Sequence, residues 1–135
     1  MKLILYSDGG ARGNPGPAAY GVAVYNAGGA LLEKLKKYLG ELTNNQAEYE
    51  GVIAGLSKAS ELQATEIDFY LDSELIVKQL KGEYKIKNEG LQPLAAKVLA
   101  LTNKFSRVNF YHVRREKNQL ADELVNEALD EATAK

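Results

Sequence analysis

The sequence has no cysteine and a single histidine, His112. Without cysteine there is no disulfide, no thiolate metal site and no cysteine nucleophile, so a secreted, disulfide-stapled mini-protein is excluded. Zinc prefers nitrogen and sulfur ligands, and apart from that one histidine the chain offers none. Long apolar runs are also missing: nothing approaches the roughly 20 residues that span a bilayer. The start Met1-Lys2-Leu3-Ile4-Leu5-Tyr6 does not run on into a signal-peptide core. No membrane association and a cytoplasmic location are therefore expected. Nor is either charge in excess, since 17 Lys and Arg face 18 Asp and Glu for a formal net charge of −1. A protein held to nucleic acid mainly by charge shows a clear basic surplus, so the overall composition argues against nucleic-acid binding.

What is present suits one globular domain. A length of 135 residues is the size of a single domain, 1–135, and 45% hydrophobic with 26% charged residues is enough to build a core. A self-folding monomer is expected. The charge is unevenly spread: 6 basic and 8 acidic residues over 1–68, 10 and 5 over 69–117, 1 and 5 over 118–135. The basic middle reads either as solvated helix faces or as a groove that tracks phosphate.

The order of elements follows from periodicity and punctuation. Lys2 to Asp8 reads as a buried strand closed by a turn at Asp8-Gly9-Gly10, and Gly13-Asn14-Pro15-Gly16-Pro17 as a loop. Ala18–Tyr25 and Leu31–Leu39 complete a three-strand meander. Thr43 with Gln46 forms a capping box for a helix running to Leu62. Ile67–Leu71 is a strand, after which Asp72 or Ser73 caps a helix ending near Gly82. A helix from Leu91 to Phe105, a strand from Arg107 to Val113 and a closing helix from about Lys117 follow, the last turning Ala121, Leu124, Val125, Ala128, Leu129 and Ala132 inward. The pattern is α/β, a mixed sheet with helices packed on it.

Four carboxylates stand where carboxylates are costly. Glu48 lies at the head of its helix's apolar stripe, over Val52, Gly55, Ala59 and Leu62, where an ionised group needs a partner. Asp8 and Asp72 each end an apolar run fit for a central strand, which would bring both to one sheet edge. Asp122 borders the stripe of the last helix, between Asn118 and Asn126. Singly, Asp8 is a common turn residue, Asp72 a common cap and Asp122 an ordinary surface charge. Together they would repel one another unless cations sat between them, and an all-oxygen site suits Mg²⁺ or Mn²⁺.

The segments Tyr6-Ser7-Asp8-Gly9-Gly10, Thr43-Asn44-Asn45-Gln46-Ala47-Glu48, Leu71-Asp72-Ser73 and Asn118-Gln119-Leu120-Ala121-Asp122 resemble, in order, the four motifs of type 1 ribonuclease H. The resemblance covers nearly the whole chain. It implies the ribonuclease H fold, a five-stranded mixed sheet flanked by helices. It also implies a metal-dependent endoribonuclease that cuts the RNA strand of RNA–DNA hybrids to 5′-phosphate and 3′-hydroxyl ends. By resemblance Asp8 bridges two Mg²⁺ ions, with Mn²⁺ as a substitute. Asp122 helps to hold the ion that activates water, and Glu48 and Asp72 hold the ion at the leaving oxygen. Gly9 and Gly10 would let backbone approach a ribose, Asn14, Asn44 and Asn45 would contact the minor groove, and Thr43 would touch a DNA-strand phosphate.

Some positions depart from the family pattern. The loop Arg114-Arg115-Glu116-Lys117 is too short to carry the histidine many members place there, and Arg115 is the residue to supply positive charge instead. His112, inside a strand, reads as a core or edge residue. Glu74 stands where many relatives carry a glutamine that contacts substrate, and its charge would repel nucleic acid unless it meets a base donor or a metal. The short loop resembles the compact archaeal-type branch, some of whose members also cut double-stranded RNA. The alternative is a catalytically weak ribonuclease-H-like module that binds hybrid or duplex without cutting it; a full set of four carboxylates favours the enzyme.

Overall fold

The computed structural model describes residues 1–134. Three strands open the chain, β1 (Lys2–Ala11), β2 (Gly16–Asn26) and β3 (Leu31–Leu42), followed by helix α1 (Asn44–Glu61) and strand β4 (Glu66–Leu71). Helices α2 (Glu74–Leu80) and α3 (Gln92–Thr102), strand β5 (Arg107–His112), a 3₁₀ turn (Arg115–Lys117) and helix α4 (Gln119–Thr133) complete it. The sheet order is β3-β2-β1-β4-β5. β1 runs antiparallel to β2 and parallel to β4, and β4 parallel to β5. This is the five-stranded mixed sheet with flanking helices that the motifs implied.

Strand alternation sorts β1 between two layers. Leu3 and Leu5 face α1 and are wholly buried with Val52, Leu56, Ile67 and Phe69. Burying side chains of this size is worth about 1.5–3 kcal/mol each. On the other face α4 covers β2 and seals a second, smaller cluster of Ala19, Val125, Ala128 and Leu129. α4 lies so close that a Cβ on Gly21 would stand 2.5 Å from the Ala121 carbonyl oxygen. Beyond α4 that face carries a row of tyrosines. Tyr25 meets Tyr6 edge-on at 5.8 Å, Tyr6 stacks on Tyr70 at 4.9 Å, and Tyr70 on Tyr111 at 5.1 Å. Three acids toward the end of α4 are paired: Lys36 with Glu127 and Glu131, and Arg12 with Asp130.

The structure corrects several of these expectations. Asp8-Gly9-Gly10 is no turn: β1 continues through it to Ala11, paired with β2 at Asp8↔Gly21, Gly9↔Tyr20 and Gly10↔Ala19. Pairing across the sheet overrides the local turn preference of Gly-Gly. The third helix begins at Gln92 and stops at Thr102, whose hydroxyl donates to the Leu99 carbonyl at 2.8 Å. Lys117 belongs to the 3₁₀ turn and α4 starts two residues later. Ala132 is exposed, since α4 has run past the sheet by its last turn.

Candidate active site

The β1–β4 ladder ends at Ser7↔Leu71, and the next residues on the two strands are Asp8 and Asp72. Parallel strands thus deliver both carboxylates to one crevice at their carboxyl ends, where sites in open α/β sheets form. Glu48 comes from α1, whose start is fixed by the reciprocal cap: Thr43 Oγ1 accepts from the Gln46 N–H and Gln46 Oε1 from the Thr43 N–H. The helix is set directly on Gly9, where an added Cβ would lie 2.3 Å from the Ala47 carbonyl carbon and 2.4 Å from the Glu48 nitrogen. Gly9 is therefore bare to admit α1, a packing reason distinct from the ribose approach expected of it. Gly10, with its nearest neighbours at 3.9 Å, is open to the cleft.

One carboxylate oxygen each from Asp8, Glu48 and Asp72 lies within 4.8 Å of the others. Asp122 lies outside that trio but lines the same open cleft, of about 450 Å³, and bears on Asp8 from α4. Asp8 is 9% and Glu48 6% exposed, and Glu48 Oε2 has no hydrogen-bond partner. Among the described residues no Lys or Arg pairs with any of the four. Burial, then the charge of Asp72, pushes the Asp8 carboxyl up to about 7, and burial with the Asp8 charge holds Glu48 well above the usual carboxylate range. Buried like charges with free oxygen lone pairs and no protein cation fit a hard divalent cation, which would supply the missing compensation.

Asn44, Asn45 and Arg115 line the cleft beside Gly10, together with Ser73, which the sequence offers only as a cap. Asn14 and Thr43 do not line the cleft. Asn14 Oδ1 accepts from the Asn44 N–H at 3.0 Å, and Asn44 Oδ1 from the Ala11 N–H at 2.7 Å. With their oxygens engaged, these two asparagines keep their amide N–H groups for other partners. The structure does not bring Glu74 to the cleft: it pairs with Lys78 at 3.0 Å one turn along α2, which lowers its pKa. His112 is exposed on the edge strand β5 and lines no part of the cleft.

A family profile described as reverse transcriptase-like matches residues 6–128. The bifunctional protein Rv2228c of Mycobacterium tuberculosis is 45% identical over 133 residues, which are 98% of this chain and 36% of that protein. The chain thus spans about a third of the length of the mycobacterial relatives it matches. Ribonuclease HI of Halobacterium salinarum is 39% identical over 131 residues, 97% of this chain and 66% of that one. The crystal structure of LC11-RNase H1 in complex with RNA/DNA hybrid superposes with a TM-score of 0.94 at 43% identity, covering 98% of this chain and 99% of that one.

Proposed function

Since the chain belongs to the ribonuclease H family, we propose that it is a divalent-metal-dependent endoribonuclease that hydrolyses the RNA strand of RNA–DNA hybrids to 5′-phosphate and 3′-hydroxyl ends. The carrying observation is the clustered trio Asp8, Glu48 and Asp72, the first two nearly buried, with a Glu48 oxygen lacking any protein partner. Asp8, Glu48, Asp72 and Asp122 would hold the two Mg²⁺ ions, Asp8 and Asp122 the one that activates water and Asp8, Glu48 and Asp72 the one at the leaving oxygen. When bound, such ions activate a water and neutralise charge on the leaving oxygen.

The protein's own residues do the rest. Asn44 and Asn45 border the carboxylates and Asn14 is hydrogen-bonded to the Asn44 backbone, so their amide donors suit the acceptors of a minor groove and its 2′-hydroxyls. Double-stranded RNA carries 2′-hydroxyls on both strands and is the second substrate proposed. Two divalent ions bring four positive charges to a chain of net charge −1, so the loaded protein attracts phosphate.

End-labelled RNA–DNA, RNA–RNA and DNA–DNA duplexes, each with Mg²⁺, Mn²⁺ or EDTA, test the reading. Hybrid is expected to be cut with metal, DNA–DNA to stay intact, and hybrid binding to weaken markedly in EDTA. No cleavage of hybrid with either metal would overturn the enzyme assignment. Arg115, carried into the cleft by the 3₁₀ turn, is proposed to supply positive charge to the bound strand. Arg115→Ala is expected to slow hybrid cleavage roughly 10-fold or more, the scale of one charge-assisted contact of 1.5–3 kcal/mol, and an unchanged rate would remove it from the mechanism.

A further inference from the structure

Asn118 occupies the N-cap of α4, and asparagine is among the best N-cap residues. Its side chain makes no cap hydrogen bond. It is 1% exposed, and its Nδ2 donates instead to the Ser7 carbonyl at 2.8 Å and to Asp72 Oδ2 at 3.2 Å. Both partners are acceptors, so only the nitrogen end of the amide can face them, and the orientation is fixed by chemistry. The other end, Oδ1, is buried with no partner, a cost retained at a site where a serine could have capped the helix without it.

The β1–β4 ladder stops at Ser7↔Leu71, and the Asn118 amide takes the Ser7 carbonyl at that point. The same nitrogen holds one oxygen of Asp72, while the Asn118 main-chain carbonyl accepts the Asp122 N–H at 3.1 Å. One residue therefore touches the carbonyl before Asp8, the carboxylate of Asp72 and the backbone of Asp122. These lie on β1, just past the end of β4 and on α4. Carboxylates that repel one another have no preferred separation of their own, and a donor that ties Asp72 to the β1 backbone beside Asp8 helps to set it.

We infer that Asn118 is a positioning residue, one that spends its side chain on spacing Asp72 against β1 and α4 and gives up the helix cap to do so. The inference rests on the proposed metal-dependent function. Its test is Mn²⁺ binding by calorimetry, and thermal melting with and without Mn²⁺, on the parent, Asn118→Ala and Asn118→Ser. The serine can cap α4 but cannot reach Asp72, so it separates the two roles. Asn118→Ser is expected to keep the metal-free melting temperature within a few degrees of the parent's and to bind Mn²⁺ roughly 10- to 100-fold more weakly, the usual scale for an outer partner of a metal ligand. The rise in melting temperature on adding Mn²⁺ shrinks with it, and Asn118→Ala shows the same loss of affinity. Affinity within twofold of the parent's in both variants would overturn the inference, as would a fall in metal-free melting with the Mn²⁺ increment unchanged. A parent that neither binds Mn²⁺ nor cuts hybrid would instead overturn the proposed function.

Discussion

An Asp8→Asn variant is expected to lose hybrid cleavage by at least about 10³-fold, some 4 kcal/mol in the barrier, while its metal-free form melts higher than the parent at pH 8. The two effects share a cause. Asp8 is nearly buried among carboxylates with no protein cation, and its pKa is pushed up to about 7 from an ordinary 3.8. A carboxyl with a raised folded-state pKa binds its proton more tightly in the folded protein than in the unfolded chain. Its contribution to stability is therefore fully present below about pH 4 and is lost as the pH climbs to about 7. Above that the ionised site works against folding. Asparagine removes the charge and keeps the shape, for a gain of roughly 1–2 kcal/mol or about 5 °C. In EDTA the difference should appear at pH 8 and shrink at pH 5. Mg²⁺ should raise the melting temperature of the parent far more than that of the variant. A variant that melts below the parent in EDTA at pH 8 would show that the carboxylate is not strained by its neighbours.

The second large effect separates two adjacent glycines. Gly9→Ala is expected to destabilise the protein by about 3 kcal/mol or more, at the upper end for overpacking, with a fall in melting temperature of about 10 °C or more. The added methyl would meet the Ala47 and Glu48 backbone at 2.3–2.4 Å, and backbone cannot swing aside as a side chain can. Either α1 lifts, carrying Glu48 out of the site, or β1 bends at Asp8, so activity falls as well. Gly10→Ala meets nothing closer than Asn44 Oδ1 and Val125 Cγ1 at 3.9 Å. It should leave melting within about 1 kcal/mol of the parent and act only on hybrid cleavage, chiefly through KM, because the methyl stands in the cleft. Equal melting temperatures for the two variants would refute the placement of α1 on Gly9.

Much of this was legible in the residues. The Thr43 and Gln46 pair marked the start of α1 to the residue, because a reciprocal cap is a local device that needs no tertiary partner. Glu48 declared itself by standing on an apolar stripe, and the trio it forms with Asp8 and Asp72 followed from which runs were apolar enough to be central strands. What stayed hidden depended on partners distant in sequence. Asp8-Gly9-Gly10 reads as a turn until β2 is laid beside it. Asn118 reads only as a neighbour of Asp122 on the last helix, and its contacts with Ser7 and Asp72, 111 and 46 residues earlier, reveal its use.

The tyrosine row has an experimental consequence. Tyr6 stands two residues before Asp8 on β1 and so shares its face of the sheet, Tyr70 lies two residues before Asp72 near the end of β4, and the two rings stack at 4.9 Å across the β1–β4 junction. The chain has eight tyrosines and no tryptophan. Its ultraviolet fluorescence and near-ultraviolet circular dichroism are thus tyrosine signals unmasked by indole, and a stacked row contributes to them through its fixed packing. The two strands that carry half of the candidate ligands are joined by a native chromophore, an optical gauge of their spacing that requires no label.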